Sequence, residues 1–255
     1  MNLHKGDPIE VIGHGGAGYY FPGNSRQSIE KALEIGVARI EFDVQLSGSG
    51  ELVLVHDDHL RLPTGKKRSV NKLSTAEIRL LLPGLMTFDE AVELIGGRSP
   101  FLIDVKASGY AVAVADGIRR HNLGNEATIV SSTYASVLRY LRREFADLRT
   151  GISTGHLANS FPIKSARTVI SGGFQFAVPS ALVIAVRAIG ATDVMMQHRA
   201  CSSRLVKLMH NKGTRVNVWT VDHPRQIERA ITLGVDSITS NRPDLVLDSL
   251  RSQNR

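Results

Sequence analysis

Cysteine is almost missing: Cys201 is the only one in 255 residues. No disulfide framework can form, and the expected setting is a reducing, cytoplasmic one. No apolar run is long enough to cross a bilayer, and the N-terminal stretch from Met1 to Pro8 lacks the apolar core of a signal peptide, so neither a membrane span nor secretion is expected. Aromatic residues make up 5% of the chain, and few accompany its basic residues. The formal charge of +7 suits phosphate-bearing ligands. Its scattered placement, in clusters such as Lys66-Lys67-Arg68 and Arg142-Arg143, does not predict a nucleic acid partner. Low-complexity linkers and short-period repeats are also absent. Nothing in the sequence speaks to oligomeric state.

What is present is alternation. Short β-branched runs at 9–13, 39–44, 101–105, 127–130, 149–152, 193–196, 215–219 and 237–239 read as strands. Helical patterns at 25–35, 88–95, 110–121, 134–144, 180–189, 203–212, 224–233 and 244–251 lie between or after them. Asn24 or Ser25 can cap the first helix, and Gly36, Gly190, Gly213 and Gly234 follow helical runs as C′ glycines do. Eight strands alternating with eight helices predict a (β/α)₈ TIM barrel, as one domain over 1–255. A doubly wound open sheet would show the same alternation. The rhythm breaks at about 47–86, where a short extra strand (52–55), a basic loop and a helix (74–82) form a small insertion after the second strand. A second irregular stretch, 153–176, reads as loop with at most a short helix.

The second strand, Ile40-Glu41-Phe42-Asp43-Val44, carries two acids at i and i+2. Alternation puts Glu41 and Asp43 on one side and the apolar residues on the other. Two carboxylates on one face of a buried strand need a cation, either a divalent metal or a Lys or Arg in an ion-pair network. Both readings stay open on this pair. The third strand adds Asp104 and Lys106 on a shared face. Alone these are an ion pair; beside Glu41 and Asp43 they become a third oxygen ligand for Mg²⁺ or Ca²⁺ and a fixed positive charge. His14 ends the first strand and His56 ends the extra strand, so both approach the same barrel mouth. Two histidines beside a metal site can serve as general acid and general base. Asp57 can orient a neighbour or start a turn. The run Gly13-His14-Gly15-Gly16-Ala17-Gly18 matches the glycine spacing of a dinucleotide fingerprint. Its helix begins only near Ser25, too late for a pyrophosphate to meet its N-terminus. An NAD-dependent oxidoreductase is therefore carried as a rival.

His14-Gly15, Pro22-Gly23-Asn24, Glu41-Phe42-Asp43-Val44, Val55-His56-Asp57, Asp104-Val105-Lys106, Val216 to Val221 and Gly234 to Thr239 appear in the order seen in the glycerophosphodiester phosphodiesterase family. The chain resembles that family over essentially its full length. The resemblance implies a (β/α)₈ barrel, a divalent metal, and hydrolysis of a small-molecule phosphodiester to a phosphomonoester and an alcohol. It implies metal ligation by Glu41, Asp43 and Asp104, acid/base work by His14 and His56, Lys106 facing charge on phosphorus, and Trp219 lining the mouth. An ordinary core position is the other reading for Trp219.

Three departures stand out. The family usually has His-Arg where this chain has His14-Gly15, Pro-Glu-Asn where it has Pro22-Gly23-Asn24, and Glu where it has Asp104. The Asp-x-Lys form also resembles the related sphingomyelinase D branch. The glycines at 15 and 23 suggest a mouth with more space, suited to a bulkier sugar phosphodiester of the opine type. Gly15 and His198 are candidate substrate contacts, with Arg61, Lys66 and Arg199 as further replacements for the missing cation. An inactive phosphoester-binding protein is the remaining alternative.

Overall fold

The computed structural model describes residues 8–154 and 174–253. Eight parallel strands form a closed ring: β1 (Glu10–Gly13), β2 (Arg39–Leu46), β6 (Phe101–Val105), β7 (Thr128–Ser132), β8 (Arg149–Ser153), β9 (Asp193–Gln197), β10 (Arg215–Trp219) and β11 (Ser237–Ser240). Closure comes from β1, which pairs with β11 through Val11–Ile238 and with β2 through Ile12–Arg39. The helices between and after these strands are α1 (Arg26–Ile35), α3 (Phe88–Ile95), α4 (Ala111–Arg120), α5 (Ala135–Glu144), α6 (Phe174–Ile189), α7 (Ser203–His210), α8 (Pro224–Leu233) and α9 (Pro243–Gln253). The fold is the (β/α)₈ barrel that the alternation predicts, not an open sheet.

β2 shows how the sequence builds both shells. Ile40, Phe42 and Val44 point outward into the core between strands and helices. There Phe42 meets the rings of Phe88 and Phe101 edge-on, each 6.0 Å away. Full burial of one such side chain contributes roughly 1.5–3 kcal/mol. Glu41, Asp43 and Gln45 alternate with them and face inward. A smaller apolar layer of Ile12, Leu102, Ile129 and Met195 fills the barrel interior below the mouth. At the opposite end, the first residues of five strands form a charged plug. Arg39, Arg149 and Arg215 approach Glu10 at 3.4, 4.0 and 3.7 Å, and Arg149 also binds Asp193 at 2.6 Å.

Between β2 and α3 lies the expected extra segment. Antiparallel β3 (Leu52–Leu54) adds to β2 outside the ring, and α2 (Thr75–Leu81) follows. Val53, Val55, Val70, Leu73, Ile78 and Leu85 give this segment a cluster of its own. The stretch read as a basic loop contains a two-stranded hairpin, β4 (His59–Arg61) with β5 (Lys67–Ser69). Its strands are mostly exposed and polar, so no apolar alternation marks them. Helix α6 begins at Phe174, before Pro179, rather than at 180. Except at its ends, the irregular stretch 153–176 lies outside the described residues.

The glycine run after β1 has a packing explanation. Gly16 adopts φ +88°, and a Cβ there would lie 2.5 Å from the Ser28 carbonyl of α1. Helix α1 starts at Arg26 with Ser25 as its cap, well past Gly18. The glycines thus let the loop lie against a helix side instead of opening a helix N-terminus. Gly16→Ala is expected to cost roughly 2–3 kcal/mol, from the left-handed backbone and from overpacking. Urea unfolding with an unchanged slope measures it.

Candidate metal and acid–base site at the barrel mouth

The C-terminal strand ends surround a cavity of about 460 Å³. Its wall includes His14, Glu41, Asp43, His56, Asp104, Lys106 and Trp219, so the structure brings together the proposed metal ligands, both histidines, the lysine and the tryptophan singled out from sequence. Asp43 and Asp104 are direct partners in the β2–β6 register, which places neighbouring carboxylates at one height. One oxygen from each of Glu41, Asp43 and Asp104 lies within 4.8 Å of the others, a group able to hold a metal ion.

Lys106 sits between two of the three acids, with Nζ 2.6 Å from Asp43 Oδ1 and 2.5 Å from Asp104 Oδ2. The ion-pair network is therefore real, but it does not balance the site. Three carboxylates face one ammonium, and Glu41 and Asp43 are almost fully buried. Burial first, and then Asp43 beside it, hold the Glu41 carboxyl well above the usual carboxylate range. Burial works in the same direction on Asp43, but Lys106 and the Asn24 amide outweigh it and hold that carboxyl low. Burial opposes the Lys106 charge; Asp104, Asp43 and Glu41 outweigh it and keep the ammonium above the usual lysine range. Asp43 Oδ1 is buried without a hydrogen-bond partner among the described residues, and Lys106 Nζ lies 2.6 Å from it. A buried acceptor with spare capacity, inside an excess of negative charge, fits a divalent cation.

The supporting residues carry little sequence signal. Asn24, at φ +65°, holds Asp43 twice: its Nδ2 donates to Oδ2 at 2.8 Å, and its Oδ1 accepts from the Asp43 backbone N–H at 3.0 Å. Ser131, the register partner of Asp104 on β7, donates to Asp104 Oδ1 at 2.6 Å. Gln45 extends the inward face of β2 and donates to the His56 carbonyl at 3.3 Å. Asn24 belongs to the Pro22-Gly23-Asn24 motif, and the period-two rule applied to Gln45 on β2 and to Ser131 on β7 could have found the other two.

His56 lies on the exposed side of the mouth, its Nδ1 2.9 Å from Asp57 Oδ1, so Asp57 is placed to orient a neighbour. His14 Nδ1 lies 2.9 Å from Asn241 Oδ1. Trp219 both lines the cavity and packs on the inner apolar layer, so its two readings are one position.

Gly15, His198 and the candidate replacement cations Arg61, Lys66 and Arg199 are not among the residues lining the cavity. The backbone N–H of Gly15 donates to Glu41 Oε2 at 2.7 Å, which spends it on the carboxylate rather than on the cavity. A Cβ at Gly15 would meet Gly23 Cα and Asn24 N at 3.0 Å each. The two glycines therefore lie against each other, and neither lines the cavity. His198 follows β9, and its carbonyl accepts from Arg229 Nη1 at 2.8 Å; its ring is not part of the wall.

Known proteins with this pattern point the same way. Residues 14–245 match the Glycerophosphoryl diester phosphodiesterase family. A glycerophosphodiester phosphodiesterase of Caldanaerobacter subterraneus subsp. tengcongensis is 25% identical, over 94% of this chain and 97% of the relative. A probable glycerophosphodiester phosphodiesterase 2 of Mycobacterium tuberculosis is 26% identical, over 97% and 92%. Among solved structures, a putative glycerophosphoryl diester phosphodiesterase from Silicibacter pomeroyi superposes with a TM-score of 0.80 at 23% identity, over 98% of this chain and 95% of that one. An Oleispira antarctica phosphodiesterase in complex with the product sn-glycerol-3-phosphate reaches 0.78 at 20% identity, over 95% and 96%. At these identities the superpositions speak for the barrel alone, while the match over residues 14–245 carries the assignment: the chain belongs to the glycerophosphoryl diester phosphodiesterase family and is a phosphoric diester hydrolase.

Proposed function

We propose that this chain hydrolyses a glycerophosphodiester to a phosphomonoester and an alcohol, as one domain over 1–255, with Mg²⁺ or Ca²⁺ held by Glu41, Asp43 and Asp104. The observation that carries this reading is an acidic trio that one lysine balances only in part, at the floor of a cavity with two histidines on its wall. A divalent cation there supplies Lewis acidity toward phosphoryl oxygens. Lys106 presents a second positive charge beside the same oxygens, fixed by Asp43 and Asp104 and so already oriented before charge develops. His14 and His56 reach the cavity from different walls, an arrangement in which one ring takes a proton from the attacking oxygen while the other gives one to the leaving oxygen. Trp219 provides an apolar surface for the alcohol portion. The glycerol phosphate product held by the Oleispira relative supports a ligand of this size and charge. No described helix is long and apolar enough to cross a membrane, and the single cysteine favours a cytoplasmic setting.

A panel of phosphodiesters, including glycerophosphocholine and sugar-linked diesters, assayed with and without chelator tests this reading. Hydrolysis of the glycerol diesters is expected, with loss in chelator and recovery on adding Mg²⁺ or Ca²⁺. Chelator-resistant turnover would remove the metal from the account, and turnover of sugar-linked diesters alone would replace the substrate. His14→Ala and His56→Ala are each expected to lower kcat by at least about 10²-fold, measured at saturating substrate. Retained binding with abolished turnover separates this role from simple phosphoester binding.

A further inference from the structure

Beyond the cavity wall, a polar chain runs from His14 to Asp222. Asn241, just past β11, has Oδ1 2.9 Å from His14 Nδ1 and donates from Nδ2 to Asp222 Oδ2 at 2.8 Å. Asp222, three residues past β10, also accepts from the Asn241 backbone N–H at 2.8 Å and from Ser240 Oγ at 3.0 Å. The donor directions follow from chemistry alone. A carboxylate only accepts, so the Asn241 amide must turn its NH₂ toward Asp222. Its carbonyl then faces His14, and a carbonyl also only accepts, so His14 Nδ1 must carry a proton. In the neutral ring that leaves Nε2 without one.

We propose that Asp222 and Asn241 are positioning residues that lock His14 in the Nδ1–H tautomer and present Nε2 to the reacting atoms. The assignment rests on the catalytic role given to His14 above. A packing detail fits it: a Cβ at Gly18 would lie 2.6 Å from Asn241 Oδ1, so the glycine leaves that carbonyl room to reach the ring. The backbone N–H of Tyr19 also donates to the Asn241 backbone carbonyl at 3.2 Å, tying the loop that follows His14 to the same residue. The relay matters whichever way the proton moves, because both directions use Nε2.

The test pairs ring spectroscopy with a swap. Nitrogen NMR of the His14 ring in the wild-type chain is expected to show a protonated Nδ1 and an unprotonated Nε2. Asp222→Asn removes the acceptor that orients the Asn241 amide. It is expected to mix the two tautomers and lower kcat about 10–100-fold, with KM within about twofold. Asn241→Asp sets two carboxylates against each other and is expected to lose a similar factor. The double variant, Asp222→Asn with Asn241→Asp, rebuilds the relay with amide and carboxylate exchanged. It is expected to restore both the Nδ1–H signal and most of kcat. An Nε2–H ring in the wild-type chain overturns the proposal without any variant. So do an unchanged tautomer and kcat in Asp222→Asn, or a double variant no better than the singles. His14→Ala in the same assay separates the two levels. If it retains activity, the catalytic reading of His14 fails. If it abolishes activity while Asp222→Asn is silent, only the relay fails.

Discussion

Asp43→Ala is expected to lower kcat/KM for phosphodiester hydrolysis by about 10⁴-fold, the largest loss of any single change in the site. The reason is that Asp43 serves three neighbours. It is the central member of the acidic trio, it receives Lys106 at 2.6 Å, and it is clasped by both ends of the Asn24 amide. Removing it takes a ligand from the proposed cation site, frees Lys106 to swing to Asp104 alone, and leaves a buried amide without its acceptor. The loss should therefore exceed that of either histidine, which faces the cavity from its rim. Asp43→Asn keeps the shape and isolates the charge. Full activity in that variant would mean that neither a cation nor Lys106 depends on the Asp43 charge.

Asp193→Ala is expected to destabilise the fold by about 3–5 kcal/mol, with activity per folded molecule little changed. Asp193 is fully buried at the N-terminal end of the barrel, far along β9 from the mouth. It accepts from Arg149 at 2.6 and 3.3 Å, from Thr192 Oγ1 at 2.6 Å and from Asn217 Nδ2 at 3.1 Å. Burial opposes the Arg149 charge, and Asp193 is what outweighs it. Without that carboxylate, Arg149 would keep only the longer contact to Glu10 and the weaker pull of Asp236, and a buried cation would lose its strongest partner. Denaturant unfolding measures the loss. A change below about 1 kcal/mol would mean that water replaces the carboxylate, as at an exposed pair.

The barrel was legible because its signals are local. Runs such as Phe101–Val105 and Arg215–Trp219 declare themselves by β-branched residues, and glycines at 36, 190, 213 and 234 all take the positive φ expected after a helix. The grouping at the mouth was legible for a related reason: charges on apolar strands contradict their surroundings, and both histidines close strands that end at the same mouth. What escaped was whatever looks ordinary in one dimension. Asn24 was readable as a motif residue and a possible helix cap, but its hold on Asp43 shows only once its left-handed backbone is in place. Ser131 matters only because β7 sits in register with β6. The exposed strands β4 and β5 have no buried face to leave a pattern. The glycines at 15 and 23 were readable as missing side chains, but that they lie against each other needed the loop's path.

Calorimetric titration of Mg²⁺ and of Ca²⁺ into the chelator-treated chain tests the central claim most directly. The account predicts one divalent ion per chain, with binding that disappears in Asp43→Asn and Glu41→Gln and that parallels recovery of hydrolysis. Equal binding by wild type and both variants, or hydrolysis that proceeds with no ion bound, would contradict it.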